Sequence, residues 1–183
     1  MMQVRRHHDA PPGRDAVATF QLSDGDAGIL ERLHAMRAIA RDAALYGHRT
    51  QALANLIVSN APNRNVPRQL HALYGIMQRT IRFKPDPLGA EYIRTPEAIL
   101  EDIQRNGSAA VDCDEISTLT AATLGAMGLG AAFAVVGRGA TFTHVLPVAI
   151  VGGQAIPMDA QERAGLGNWP PRIQRKHLFR VFP

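Results

Sequence analysis

Residues 111–136 read VDCDEISTLTAATLGAMGLGAAFAVV, a polar start that leads into small and apolar residues interrupted by glycine. Asp112 can cap a helix, and Glu115, three positions later, can reach back to the amide of the cap residue. Beyond the last glycine, residues 131–136 have the composition of a strand. The stretch therefore predicts a buried helix that begins at Cys113 and leads into a sheet.

The chain before this stretch shows helical periodicity, with apolar residues recurring every three or four positions. The predicted helices run from Ser23 to a break at Gly47, from Gly47 to a stop at Asn60, from Pro67 to Ile81, and from a Thr95 cap to Asn106-Gly107. The first half of the chain is therefore expected to be helical.

Three strands are predicted after the cysteine-bearing helix, over residues 131–136, 141–151 and 154–158. The last two are joined by Gly152-Gly153, a hairpin signal. Consecutive strands that follow several helices indicate an α+β fold with an antiparallel sheet.

The length of 183 residues, with 46% hydrophobic and 20% charged residues, suits one sizeable core. We predict a basic flexible arm over residues 1–22 and one domain over residues 23–183. That domain divides into a helical part (23–82), a catalytic-type core (83–160) and a basic C-terminal tail (161–183). The tail is either a docking edge for a partner or a final packed strand.

The composition of the chain argues against several classes of protein. The longest apolar stretch is too short and too rich in glycine to span a membrane, and no secretory signal is visible, so we expect a soluble protein of the cytoplasm. The single cysteine excludes disulfides within the chain and multi-cysteine zinc sites. The net charge of +4 is carried mostly by arginine, but no aromatic platform accompanies it, so nucleic-acid binding is not expected.

Three residues can form a nucleophilic site. Cys113 lies in the first turn of its helix, where the helix dipole favours a thiolate while neighbouring carboxylates oppose it. His144 on the second strand can move the proton, and Asp159 after the third strand can orient the imidazole. The chain order of cysteine, histidine and aspartate is that of papain-like catalysis.

Each of these residues also has a purely structural interpretation. Cys113 can be a small buried apolar residue, His144 a hydrogen-bonded strand residue and Asp159 a turn former. The acidic residues of the fourth helix are expected to form a solvated face, and His7-His8 an exposed pair in the arm; no metal or cofactor is predicted. Those acidic residues are Glu97, Glu101 and Asp102.

The motif Asp112-Cys113-Asp114-Glu115, with its small-residue helix, resembles the start of the catalytic helix in the transglutaminase-like superfamily, which has the papain-like cysteine protease fold. The strand of His144 and the run Gly152-Gly153 to Asp159 resemble the second and third motifs of that superfamily. Residues 86–93 and 168–173 resemble flanking segments of short members encoded by tailed phages and prophages. Val111 differs from the glycine that usually precedes the motif, so we expect an altered approach to the cysteine.

This resemblance implies a cysteine protease or transamidase that acts on amides, with Cys113 as nucleophile, His144 as general acid and base, and Asp159 as the orienting group. Peptide substrates or protein partners are implied. The alternative is a phage virion or assembly protein that uses the fold as an interaction module and contacts neighbouring structural proteins through both termini. The location would then be the host cytoplasm or the assembled virion.

Overall fold

The computed structural model describes residues 17–19, 25–61, 65–85, 92–161 and 164–183. The elements, in chain order, are β1 (Val17–Thr19), α1 (Gly25–Tyr46), α2 (His48–Ser59), α3 (Val66–Thr80), β2 (Ile81–Phe83), β3 (Tyr92–Arg94), α4 (Pro96–Asn106), β4 (Ala109–Val111), α5 (Cys113–Ala126), β5 (Gly130–Gly137), β6 (His144–Val151), β7 (Gln154–Pro157) and β8 (Arg175–Phe182). The predicted mixture of helices and an antiparallel sheet is confirmed.

The main sheet has four antiparallel strands in the order β7-β6-β5-β8. The β6–β7 hairpin turns at Gly152 and Gly153, whose φ angles of 56° and 80° suit glycine, as the sequence predicted. Because β7 leads directly into Asp159 and β6 starts at His144, the hairpin brings these two predicted site residues together.

Helix α5 is the buried centre of the molecule, with every residue from Asp114 to Leu124 buried. It packs on the sheet face formed by side chains such as Phe133 and Val145, while the helices α1–α4 contact its other sides. Its small residues allow close approach: a Cβ on Gly125 would lie 2.4 Å from the ring of Phe182. The opposite sheet face forms a smaller cluster, which Trp169 and Ile173 cover.

Two short pairs of strands support the entrance to α5. β2 pairs in parallel with β4, and β1 pairs antiparallel with β3. Val111 lies at the end of β4 opposite Phe83, in extended conformation, which a β-branched residue adopts readily. The approach to Cys113 therefore does not need the left-handed conformation that glycine would permit.

The ends of the chain differ in part from the expected organisation. Residues 17–19, which we placed in the flexible arm, form β1, and the rest of that arm lies outside the described residues. The basic tail contains β8, which pairs with β5 and thereby completes the sheet. Of the two alternatives for the tail, the structure therefore has the packed strand.

The prediction that the acidic residues of α4 form a solvated face is wrong for Glu97 and Glu101, whereas the Asp102 side chain is partly exposed. Glu97 accepts hydrogen bonds from the backbone N–H groups of Arg49 and Thr50, at 3.0 and 2.9 Å, and from the Thr50 hydroxyl at 2.8 Å. Glu101 is buried and pairs with Arg49 and Arg105, and Asp102 pairs with Arg94. Helical spacing revealed which residues share a face, but not that α2 packs against it.

None of the helices within the described ranges combines the length and apolar character required to cross a membrane.

We expect Glu97→Ala to lower the free energy of unfolding by about 1–2 kcal/mol, because Gly47 has no side chain to cap α2 and Glu97 binds the first N–H groups of that helix instead. Urea denaturation followed by circular dichroism measures this. The control is Asp102→Ala, which removes the partly exposed ion pair between Asp102 of α4 and Arg94. It should lower the free energy of unfolding by less than about 1 kcal/mol. Equal losses for the two variants would contradict the capping role.

Candidate active site

The N-terminus of α5 is held by a reciprocal pair of hydrogen bonds. Asp112 Oδ1 accepts from the Glu115 backbone N–H at 3.0 Å, and Glu115 Oε2 accepts from the Asp112 backbone N–H at 3.2 Å. This is the capping box that the sequence predicted. It places Cys113 at the first helical position, where backbone N–H groups lack partners within the helix.

The same Glu115 carboxylate also binds Arg94, at the end of β3. Its Oε1 accepts from the backbone N–H of Arg94 at 3.2 Å and from the Arg94 Nε at 2.8 Å. Arg94 Nη1 also lies 2.7 Å from Asp102 Oδ2. Burial alone would lower the pKa of Arg94, but the hydrogen bonds and charges of Glu115 and then Asp102 outweigh it and raise the pKa. The guanidinium therefore stays charged and links β3, α4 and α5.

His144 and Asp159 meet at the end of the β6–β7 hairpin. His144 Nε2 lies 2.6 Å from Asp159 Oδ2, and Asp159 is only 2% exposed. The other carboxylate oxygen accepts from the backbone N–H of Gln161 at 3.1 Å. The imidazole and the carboxylate are thus held in the arrangement that orients a catalytic histidine.

Two further residues position Asp159, and sequence reasoning missed both. The hydroxyl of Tyr74 donates to the Asp159 backbone carbonyl at 3.2 Å across 85 positions of the chain. Burial and then the charge of Asp159 raise the pKa of Tyr74, so that its hydroxyl stays protonated. The Gln161 amide donates to the Asp112 carbonyl at 3.2 Å, which connects the Asp159 loop to the start of α5.

Cys113 and His144 line one cavity of about 120 Å³, which α1, α5 and the start of β6 enclose. The thiol donates to Asp114 Oδ1 at 3.6 Å and receives a backbone hydrogen bond from Val145. A hydrogen bond between the thiol and the imidazole does not occur within the described part of the chain. The structure therefore joins His144 to Asp159 directly, and brings Cys113 to the same cavity without a thiol–imidazole bond.

The electrostatics around Cys113 favour the neutral thiol. Burial, followed by the charges of Asp114 and Asp112, raises its pKa far above the ordinary value, and the Val145 backbone hydrogen bond offsets this only in part. The dipole of α5 acts in the opposite direction but does not prevail. The Cys113 thiol is therefore protonated at neutral pH.

Arg32 of α1 is a third site residue that sequence reasoning did not identify. Its Nε lies 3.2 Å from Asp114 Oδ2, and it lines the thiol cavity. The ion pair connects α1 to the first turn of α5 and neutralises one of the two carboxylates beside the sulfur. Because Arg32 and Asp114 are far apart in the sequence, no local pattern indicates this contact.

Asp112, Cys113 and Asp114 also bring three ligand atoms within 4.8 Å of one another, the one such cluster among the described residues. Both carboxylates have other partners, since Asp112 caps α5 and Asp114 pairs with Arg32. The cluster is therefore better explained as the capped and neutralised start of a helix than as a metal centre.

Comparison of this chain with protein-family models, with curated proteins and with solved structures gave no match.

We expect Asp114→Asn to accelerate alkylation of Cys113 by iodoacetamide at neutral pH about tenfold, the effect of lowering the thiol pKa by one unit. The substitution removes the nearer carboxylate charge and leaves Arg32 beside the sulfur. Asp102→Asn, which also removes an arginine-paired carboxylate, should leave the rate unchanged. Equal rates in the wild type and Asp114→Asn would contradict the electrostatic account.

The raised thiol pKa also makes stability depend on pH. Its contribution to folding is fully present below the ordinary thiol pKa of about 8.5 and is lost as the pH rises above that value. We therefore expect the free energy of unfolding to fall more steeply above about pH 8.5 in the wild type than in Cys113→Ala, measured by urea denaturation. Parallel pH profiles for the two proteins would show that the folded thiol has an ordinary pKa.

Proposed function

We propose that this protein is a transglutaminase-like cysteine protease or transamidase, which transfers the acyl group of an amide through Cys113. The observation that carries the proposal is the 2.6 Å contact between His144 Nε2 and the buried Asp159, beside a cavity that contains the sole cysteine. A histidine oriented by a carboxylate next to a helix-start thiol is the combination that nucleophilic catalysis requires.

Within this proposal, the roles follow from the hydrogen bonds. When Nε2 carries the proton and donates to Asp159, the Nδ1 lone pair is the basic site of the neutral ring. It takes the proton from the Cys113 thiol as sulfur attacks the amide carbon. Asp159 stabilises the imidazolium that forms, and Tyr74 and Gln161 hold Asp159 in place.

The reaction begins from a neutral thiol rather than from a thiolate–imidazolium pair. Attack forms a carbon–sulfur bond and moves the negative charge onto the carbonyl oxygen. The backbone N–H of Cys113, in the first turn of α5, is the candidate donor to that oxygen. Breaking the carbon–nitrogen bond releases the amine with the proton from His144 and leaves a thioester, which water or a second amine then cleaves.

The second candidate function is a non-catalytic interaction module, such as a component of a phage particle. The specific observation in its favour is that the thiol donates to Asp114 and not to His144, and that its pKa is raised. In this case the triad residues stabilise the fold, and the protein acts through its surfaces.

Trapping of the thioester separates the two functions. The protein is incubated with casein and hydroxylamine, which intercepts a thioester as a hydroxamate, and the products are identified by mass spectrometry. We expect hydroxamates with the wild type, none with Cys113→Ala, and a rate about 10²- to 10⁴-fold lower with His144→Ala.

His71→Ala is the matched control, because His71 is an exposed histidine on α3 outside the cavity. Its rate should equal that of the wild type. Hydroxamates that persist in Cys113→Ala, or a His144→Ala variant as active as the His71→Ala control, would contradict the proposed catalytic roles.

A further inference from the structure

A second, larger cavity adjoins the thiol cavity. Its volume is about 550 Å³, within the range of ligand sites, and it lies between α1 and the start of β8. Four residues line both cavities, so the two lie next to each other. These shared residues are Ile29, Leu33, Val135 and Phe142. A chain seated in the larger cavity would therefore lie next to the cavity that contains Cys113.

The floor of this outer cavity is apolar. Ile29, Leu30 and Leu33 contribute from α1, Val135 from β5, and Phe142 from the segment before β6. The side chain of Leu30 is large and apolar, and the residue is 46% exposed. An exposed leucine over an apolar floor is suited to receive an apolar side chain from outside.

The rim of the cavity is basic. The guanidinium of Arg175 lies 4.6 Å from the centre of the Phe142 ring and donates to the Ala140 carbonyl. His177 lines the same side. Lys176 also lines the cavity, but its ammonium lies 3.9 Å from the centre of the Trp169 ring, on the other face of the sheet. No acidic side chain lines this cavity among the residues that the structure describes.

Basic residues continue along the contact between α1 and β8. The guanidinium of Arg37 lies 4.8 Å from the centre of the Phe179 ring, and His34 packs edge-on against the same ring. Arg41 Nε donates to the Val181 carbonyl at 2.8 Å. Basic side chains, which attract carboxylates, therefore lie along the same α1–β8 contact as the cavity.

We propose that the outer cavity binds an acidic polypeptide segment, in which an apolar side chain enters the floor and neighbouring carboxylates pair with the basic rim. This assigns a substrate class and rests on the proposed function, since the segment would present its amide to Cys113. Binding of the segment in the outer cavity does not itself require that the thiol reacts.

A protein segment suits the outer cavity better than a nucleic acid does. Binding of single-stranded nucleic acid depends on open aromatic faces for base stacking, whereas the guanidinium of Arg175 already lies over the Phe142 ring. The floor is built from aliphatic side chains of α1, which suit leucine-like side chains. Under the proposed function, the adjoining thiol would act on acyl groups, which polypeptides carry at every residue.

The test measures binding to the full-length Cys113→Ala protein, so that turnover cannot interfere. The probe is a fluorescein-labelled peptide with the order leucine, glutamine, leucine, glutamate, aspartate, glutamate. A neutral version replaces the three acids by their amides, and a labelled single-stranded DNA oligonucleotide carries the same net charge as the acidic peptide. Fluorescence anisotropy gives the Kd of each, at low and at high salt.

Two substitutions probe the floor and the rim. Leu30→Gln removes the exposed apolar contact, and Arg175→Gln removes the rim charge, which Arg175→Lys keeps. We expect each of the first two to raise the Kd of the acidic peptide about two- to fivefold, and Arg175→Lys to restore most of the loss. The controls are Leu45→Gln, an exposed leucine at the other end of α1, and Arg180→Gln, an exposed arginine of β8 away from the cavity.

The proposal is supported if the acidic peptide binds more tightly than the neutral one, if high salt reduces that preference, and if only the cavity variants weaken binding. Equal affinity for the two peptides, tighter binding of the oligonucleotide, or equal effects of cavity and control substitutions would overturn it. Peptide binding without hydroxamate formation by the wild type would refute the proposed catalysis but not this site. Hydroxamate formation without a preference for acidic peptides would refute the assigned substrate class alone.

Discussion

The buried carboxylate of Glu115 is the interaction on which the rest of the structure depends. It binds the N–H of Asp112 and both the backbone and the side chain of Arg94, so it closes the N-terminus of α5 and joins that helix to β3. Helix α5 is buried along almost its whole length, and a helix end that cannot reach water must be satisfied by protein groups. With this end fixed, Cys113 is the first residue of the helix, and the packing of the sheet on the helix places Cys113 and His144 along the same cavity.

The groups at the start of α5 have opposite effects on the pKa of the Cys113 thiol. The acidic residues that cap and neutralise the start of α5 surround the thiol with negative charge, and burial adds to their effect on its pKa. Arg32 reduces this charge by pairing with Asp114, and the helix N-terminus supplies partial positive charge. The thiol is therefore neutral, and under the proposed function its activation requires proton transfer to the imidazole. A neutral thiol is also less prone to oxidation than a thiolate.

Local signals in the sequence were sufficient for much of this arrangement. The capping pattern of Asp112 and Glu115 located the start of α5, and the glycine pair located the hairpin that carries His144 toward Asp159. The contacts of Arg32, Tyr74 and Glu97 were not predictable, because each depends on how elements distant in the chain pack together. The short strands beside α5 were missed for a related reason: three residues carry too little pattern to indicate a strand, and pairing partners decide their conformation.

We propose that Asp159 fixes the tautomer of His144 through Nε2 and thereby leaves Nδ1 as the base of the proposed reaction. Long-range ¹H–¹⁵N correlation spectra of the ¹⁵N-labelled protein report which ring nitrogen carries the proton, and His144→Gln identifies the signal. The account predicts a neutral ring protonated at Nε2, with the pattern altered in Asp159→Asn. A neutral ring protonated at Nδ1, unchanged by that substitution, would contradict it.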